Sequence, residues 1–390
     1  MKPYEQIMSQ RTQDLKPSPI RRFFDLAENM ADVISLGVGE PDFRTPWPIR
    51  SAAIATLERQ AIFYGANSGI QPLRDEISNF MRRRYQLEYS GDNEILVTVG
   101  GSEAVDLTFR TLLNPGDEVL ITEPCFVCYA PLIELADGVP VSLPTKQEDE
   151  FRLTAESLRK AITPKTKLLM MSFPNNPTGA IMRREDYIEI AKVLEGTDIL
   201  VLSDEIYSEL TYGTKHCSPA SIEGMRERTI VVNGFSKAFA MTGWRLGWMA
   251  APAPIIAQAR KIHQYGIMCA PMISQRAAIE ALRTCDGEVE RMVEEYDHRR
   301  RFMLERFNQM GLYCFPPAGA FYLFPNISAT GMDSETFCEQ LLQEEHVAVV
   351  PGSAFGESGK DNIRISYAYS LKHLAEAADR IERFIARHKK

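Results

Sequence analysis

One lysine and one arginine stand out in the segment Asn233–Trp248, NGFSKAFAMTGWRLGW. Lys237 sits among Phe235, Phe239, Met241 and Trp244, and Arg245 follows eight residues later. Two readings compete. Long cationic side chains often lay their methylene stems on apolar surface while the charge reaches water. Alternatively, the surrounding residues keep water away from an amine able to form an imine with a carbonyl and from a guanidinium able to hold an anion.

Other residues suited to chemistry lie in separate parts of the chain. Gly101, Ser102 and Glu103 follow the apolar run EILVTV at the start of a helical pattern. Orphan backbone donors and the positive dipole end suit a phosphate there, with a simple tight turn as the rival reading. Asp204 ends the apolar run ILVLS. A carboxylate in that position is costly unless it meets a positive partner, although helix N-capping is an alternative. Cys125 and Cys128 form a C-x-x-C without a second pair or a nearby histidine, which fits a strand-end turn better than zinc or redox chemistry.

The elements that must position these groups form a regular pattern. The short apolar runs EILVTV, DEVLIT, KLLMMSF, ILVLS and TIVVN alternate with helical stretches such as Glu103–Leu113 and Arg184–Leu194. This predicts an α/β fold with a mainly parallel sheet covered by helices. Ligands in such sheets bind beyond the carboxyl ends of the strands. Those ends lead into GGSEA, EPCFVCY, PNNPTG, DEIY and GFSK, so five of them converge on polar, aromatic or glycine-rich segments. From about Arg283 the sequence becomes helical and charge-rich, then yields the short strand candidates GAFYLF, VAVVPG and NIRISYA. The expected division is an arm over residues 1–45 belonging in part to a small domain, a large domain over 46–282, and a small α+β domain over 283–390.

Composition narrows the function classes. The 390 residues carry a formal charge of −8 with no long basic run, which argues against nucleic acid as a partner. No apolar run approaches the ~20 residues of a membrane span, and the polar N-terminus does not resemble a signal peptide. Seven cysteines, an odd number in a long chain, suit a reducing compartment. A cytoplasmic protein is expected.

A phosphate cup, a carboxylate, a tyrosine three residues after it and a lysine, all at neighbouring strand ends, suit pyridoxal 5'-phosphate. The lysine amine forms an imine with its aldehyde, and the carboxylate keeps its ring nitrogen protonated so that the ring accepts electrons. With ISLGVGEPDF, YGANSGIQPLR, NPGDEV, NNPTG, SDEIY, SKAFAMTGWRLG, GAFYLF, VPGSAFG and RISYA in this order, the chain resembles the class I/II aminotransferases of pyridoxal-phosphate fold type I. The resemblance is to the aspartate, aromatic and N-acetyl-diaminopimelate group and covers nearly the whole chain.

The resemblance implies roles residue by residue. Lys237 would carry the imine and move the proton, and Asp204 would face the ring nitrogen. Asn176 and Tyr207 would bond the phenolic oxygen, and Phe126 would stack on the ring. Arg245 and Ser236, with the helix start at Gly101, Ser102 and Glu103, would hold the phosphate. Arg364 would take the substrate α-carboxylate beside Gly39 and Asn176. Tyr64 would reach the phosphate of a neighbouring subunit, giving a homodimer with shared sites. The implied reaction moves an amino group from an amino acid to a 2-oxo acid such as 2-oxoglutarate.

Aromatic donors are expected to be favoured, because Ser102 stands where aspartate-type members often have a lysine, and Glu103 would repel a second carboxylate if it faced the pocket. Phe126 and Tyr322, with Phe23 and Phe24 unless those two pack in the core, would supply an apolar wall, and Arg21 or Arg22 a mobile cation for the dicarboxylate acceptor. Aspartate and N-acetyl-diaminopimelate aminotransferases, a β-lyase, an aminocyclopropane-carboxylate synthase and a regulator's effector domain are the alternatives; the regulator would need a basic extension before this segment. Ser157-x-x-Lys160 lacks a companion KTG, Gly37-x-Gly39 lacks the third glycine of a dinucleotide site, and Arg299–Arg301 reads as a solvated helix face.

Overall fold

The computed structural model describes residues 3, 4, 7–17, 30 and 32–388. Its central feature is a seven-stranded sheet. The strands, numbered along the chain after a short β1 (Ile34–Ser35), are β2 (Ile95–Thr98), β3 (Glu118–Glu123), β4 (Val139–Pro144), β5 (Thr166–Ser172), β6 (Leu200–Asp204), β7 (Thr229–Gly234) and β8 (Gly247–Ala250). Their order is β2-β8-β7-β6-β5-β3-β4. Every pairing is parallel except those of β8, which runs antiparallel between β2 and β7.

The continuous apolar runs follow from burial on both faces. In β5, Leu168 and Met170 point into one apolar cluster with Val105, Phe109 and Ala259. Leu169 and Met171 point into the opposite cluster with Tyr187, Ile190 and Leu194. The helices Gly101–Leu112 and Ala253–Gly266 supply the first layer, and Arg184–Leu194 belongs to the second. Two strands are not among those read from the sequence. β4 carries Pro140 and Pro144, which a sheet tolerates at its edge, where β4 lies. β8 is only four residues long and follows directly on the reactive segment.

The remaining strands are short. β9 (Tyr322–Leu323), β11 (Val350–Pro351) and β12 (Ile363–Ser366) form an antiparallel sheet in the order β11-β12-β9, and β1 pairs in parallel with β10 (Val347–Ala348). The segment before the first long helix is therefore stitched to the C-terminal part of the chain. The helices Asp286–Gln309, Ser334–Glu345 and Leu371–His388 cover these strands. Among the described residues no helix is long and apolar enough to cross a membrane.

Candidate active site

A cavity of about 380 Å³ opens at the carboxyl ends of the central strands. Gly101 and Ser102 enter it after β2, Phe126 after β3, Asn176 after β5, Tyr207 after β6, and Ser236 and Lys237 after β7, with Ser172 and Asp204 ending β5 and β6. The parallel strands and short connections converge these groups, as the open-sheet rule expects. The opposite wall is formed by Gly37–Glu40, Tyr322 and Arg364.

Asp204 lies at the end of β6, 7% exposed. Tyr129 Oη donates to its Oδ2 at 2.8 Å and the Ile206 N–H to its Oδ1 at 3.2 Å. Burial still dominates and pushes its carboxyl up to about 6, with the two donors opposing the rise. Lys237 Nζ donates to the Gly39 carbonyl at 2.6 Å. Burial and then the nearby Arg364 charge push this amine down to about 8, so a neutral nucleophile is accessible near physiological pH. Both shifts reflect withheld water, which answers why an apolar segment keeps its lysine.

Arg364 is 3% exposed. Its Nη1 donates to Asn176 Oδ1 at 2.9 Å, its Nη2 donates to the Gly37 carbonyl, and its Nε has no partner. The guanidinium lies 4.6 Å from the Tyr322 ring centroid and 4.9 Å from that of Phe355. A stacked, buried guanidinium with an orphan donor is built to receive an anion such as a carboxylate. Tyr322 Oη in turn bonds Tyr207 Oη at 2.7 Å. Asn176 is steadied by its neighbour: Asn175 Nδ2 donates to the Pro124 and Ser172 carbonyls at 3.3 and 3.2 Å, and its Oδ1 accepts from Thr178.

The anion cup is assembled by close backbone approach. Gly100 has φ +84°, and a Cβ there would lie 2.8 Å from Arg245 Nη2. A Cβ on Gly247 would lie 2.7 Å from Gly100 C and 2.8 Å from Gly101 N, so both positions require glycine. Arg245, itself in the left-handed region at φ 52°, is exposed and donates to the Thr242 carbonyl at 3.0 Å. Pyridoxal phosphate fits this donor set. Gly101, Ser102, Ser236 and Arg245 suit its phosphate, Asp204 its ring nitrogen, Lys237 its aldehyde carbon and Phe126 its ring face.

The structure corrects two expectations. The Glu103 side chain turns away from the cavity: it accepts from the Val99 N–H and lies 2.7 Å from His263 Nδ1. Only the backbone of Glu103 remains available to an anion, and its carboxylate repels nothing in the pocket. Arg299 is not on a solvated face but is 5% exposed, paired and stacked; Arg301 alone of the triplet is well exposed. Gly37 and Gly39 line the cavity, with Gly39 on the side the resemblance assigned to substrate. Tyr64 lies outside the cavity, 83% exposed. Phe23, Phe24, Arg21 and Arg22 lie outside the described residues.

Tyr129, Thr242 and Glu40 also reach the site but were missed from the sequence. Tyr129 carried a weak signal, as a hydroxyl three residues after Phe126 in an otherwise apolar helix start. The thiols of Cys125 and Cys128 are free. Burial pushes the first up to about 12 and the second well above its usual value, which leaves little thiolate for redox or metal chemistry.

A family model described as aminotransferase class I and II matches residues 31–381. The chain belongs to this family. It is 47% identical to an aspartate aminotransferase of Pyrococcus abyssi over 386 residues, covering 98% of this chain and 99% of that one. It is 43% identical to aromatic-amino-acid aminotransferase 2 of Thermococcus litoralis over 385 residues, with the same coverage of 98% and 99%. Among solved structures, an aromatic aminotransferase from Pyrococcus horikoshii superimposes with a TM-score of 0.90 at 45% identity, covering 94% of this chain and 99% of that one. The protein is a pyridoxal-phosphate-dependent aminotransferase of fold type I.

Proposed function

We propose that the enzyme favours aromatic amino donors, with 2-oxoglutarate as amino acceptor. The observation carrying this reading is the distal wall of the cavity. Among the described residues the cations lining the cavity are Lys237, Arg245 and Arg364, and the roles assigned to them leave none of the three for a second carboxylate, so the dicarboxylate acceptor would draw on Arg21 or Arg22, which lie outside those residues. Ser102 is neutral, while Phe126, Ile206 and Tyr322 give apolar surface. The names of the relatives cover both aspartate and aromatic donors, so the donor must be measured. A panel of amino donors against 2-oxoglutarate should give a higher kcat/KM for phenylalanine or tyrosine than for aspartate. A clear preference for aspartate, or for an N-acylated diaminopimelate, refutes the aromatic assignment.

The residues perform the reaction by position. When bound, pyridoxal phosphate supplies an aldehyde for the amine and a ring that withdraws electrons from the substrate Cα. Arg364 holds the α-carboxylate through charge-assisted hydrogen bonds and so orients the Cα–H bond. Lys237, with its amine pushed down to about 8, takes and returns the proton at Cα. Asp204 would hold the ring nitrogen of the bound cofactor and, as a carboxylate, favour its protonated form. Asn176 and Tyr207 would donate to the phenolic oxygen of the bound cofactor. The apolar segment around Lys237 excludes water from these transfers.

The same reading makes the enzyme a cytoplasmic homodimer. Ile62, Phe63 and Tyr64 are exposed and line a pocket with Cys269, Ala270, Pro271 and Met272, while Tyr265, Ile267 and Met268 just before that segment are exposed as well. Asn67 Nδ2 donates to the Met268 carbonyl at 2.8 Å and holds the two segments together. A second copy covering this face would bring Tyr64 to its phosphate site. Mixing inactive Lys237→Ala and Tyr64→Ala chains should regenerate activity through heterodimers carrying one intact site. Subunit exchange without recovered activity contradicts the shared site.

A further inference from the structure

Arg299 lies in the long helix Asp286–Gln309, yet its strongest partner is 257 residues away. Its Nη1 reaches both carboxylate oxygens of Asp42, at 2.8 and 2.9 Å, and its Nε donates to Glu295 at 2.9 Å. The guanidinium stands 5.2 Å from the Phe43 ring centroid and 5.7 Å from that of Tyr296, while the two rings meet edge to face at 5.2 Å. Burying a guanidinium this deeply is costly unless it is fully paired, and its removal would strand Asp42. The helix thus grips the segment 37–45.

That segment carries two carbonyls of the site. The Gly37 carbonyl accepts from Arg364 Nη2 and the Gly39 carbonyl from Lys237 Nζ. Its start is pinned by Leu36, whose N–H donates to the Ala348 carbonyl at 2.8 Å and whose carbonyl accepts from the Ser366 N–H at 2.9 Å. Its end is pinned by Thr45, which donates to the Ala240 carbonyl at 2.5 Å and accepts from Trp244 Nε1 at 3.0 Å. Between these pins, among the described residues, the further side-chain hydrogen bonds are from the Gly37 N–H to Ser35 Oγ at 3.4 Å, between Tyr369 and the Val38 backbone, and from Thr242 to Glu40 at 3.3 Å at the exposed rim. The grip on Asp42 and Phe43 is the stronger intermediate support.

We propose that Arg299 is a positioning residue for substrate recognition: by clamping Asp42 it fixes the Gly37–Gly39 carbonyls, which set how Arg364 is presented to an incoming α-carboxylate. The proposal rests on the reading of Arg364 as the carboxylate site. Gly37 and Asn176 each take one N–H of Nη2 and Nη1, so the second N–H of each and the unpartnered Nε remain for ligand. A slack segment would let the guanidinium reorient and lose the bidentate geometry. None of the clamp side chains touches Gly101, Ser102, Asp204 or Arg245, so the cofactor cup stays as it is.

The test is steady-state kinetics of the cofactor-loaded full chain carrying Asp42→Asn, with Arg299→Lys and Arg364→Lys beside it. Asp42→Asn keeps the shape of a side chain at the rim and leaves Glu295 with Arg299. Arg299→Lys keeps a cation in the stack but cannot span both carboxylate oxygens and Glu295. Both should raise KM for the amino donor about tenfold, with kcat lowered by a smaller factor and cofactor retention changed less than about twofold. An unchanged KM in both, with a raised KM in Arg364→Lys, overturns the clamp. An unchanged KM in Arg364→Lys overturns instead the reading of Arg364. A parallel loss of cofactor retention and kcat also overturns the clamp, because the pair would then support the fold alone.

Discussion

The two walls of the cavity are built differently. The wall assigned to the cofactor comes from consecutive strand ends of one parallel sheet, each delivering its side chain within a few residues of the strand. The wall assigned to the substrate comes from contacts across the whole chain: Gly37 meets Arg364 over 327 residues, and Asp42 meets Arg299 over 257. Strand ends in a buried sheet are fixed by the packing of both faces, so the first wall is rigid by construction. The second depends on a segment held at three points and is the one able to adjust to different donors.

Variants should separate the two walls by what they change. Lys237→Ala, in the first wall, should bind cofactor and lose transamination by roughly 10²–10⁴-fold, since the proton transfer loses its base. Single-turnover mixing with an amino donor measures this, and retained turnover contradicts the role. Asp204→Asn should lower kcat by about a hundredfold through loss of a charge-assisted contact.

Asp204→Asn has an opposite effect on the cofactor-free protein. The folded carboxyl is held at about 6, against ~3.9 when unfolded. Between these values the folded state binds a proton that the unfolded state lacks. Stability from this group therefore falls as pH rises from about 4 to 6 and stays lost above, by roughly 3 kcal/mol. Cofactor-free Asp204→Asn should melt higher than the parent above pH 6 and no higher below pH 4. Equal melting temperatures at pH 8 would show that Asp204 is not under strain from burial.

Smaller effects are expected at the edges. Tyr64→Phe should weaken cofactor retention several-fold without altering the fold, read by dialysis and absorbance, if Tyr64 supplies the hydrogen bond proposed to a partner's phosphate. Ser102→Lys should raise kcat/KM for aspartate a few-fold relative to phenylalanine, by placing a cation near a distal carboxylate. A fall in aspartate activity would place the distal pocket elsewhere.

The difference between the walls also explains what the sequence revealed. Lys237, Asp204 and Tyr207 were legible because each ends or follows an apolar run whose end must point at the ligand crevice, whereas Asn176 took its place from the family resemblance. Arg364 was identified by family resemblance, since its burial depends on β12 pairing with β9 and β11. Arg299 was misread because helical charge patterning cannot show a partner that arrives from residue 42. Glu103 was misplaced for a similar reason: its helix-start position is local, but its partner His263 lies on another helix. β4 was obscured by its prolines, whose edge position only the assembled sheet discloses.

The most direct test of the account is chemical. Reduction of the yellow, cofactor-loaded enzyme with borohydride, followed by proteolysis and mass spectrometry, should place the pyridoxyl group on a peptide containing Lys237. Label on any other lysine, or no covalent label with cofactor demonstrably bound, would contradict the assignment of the site at the end of β7.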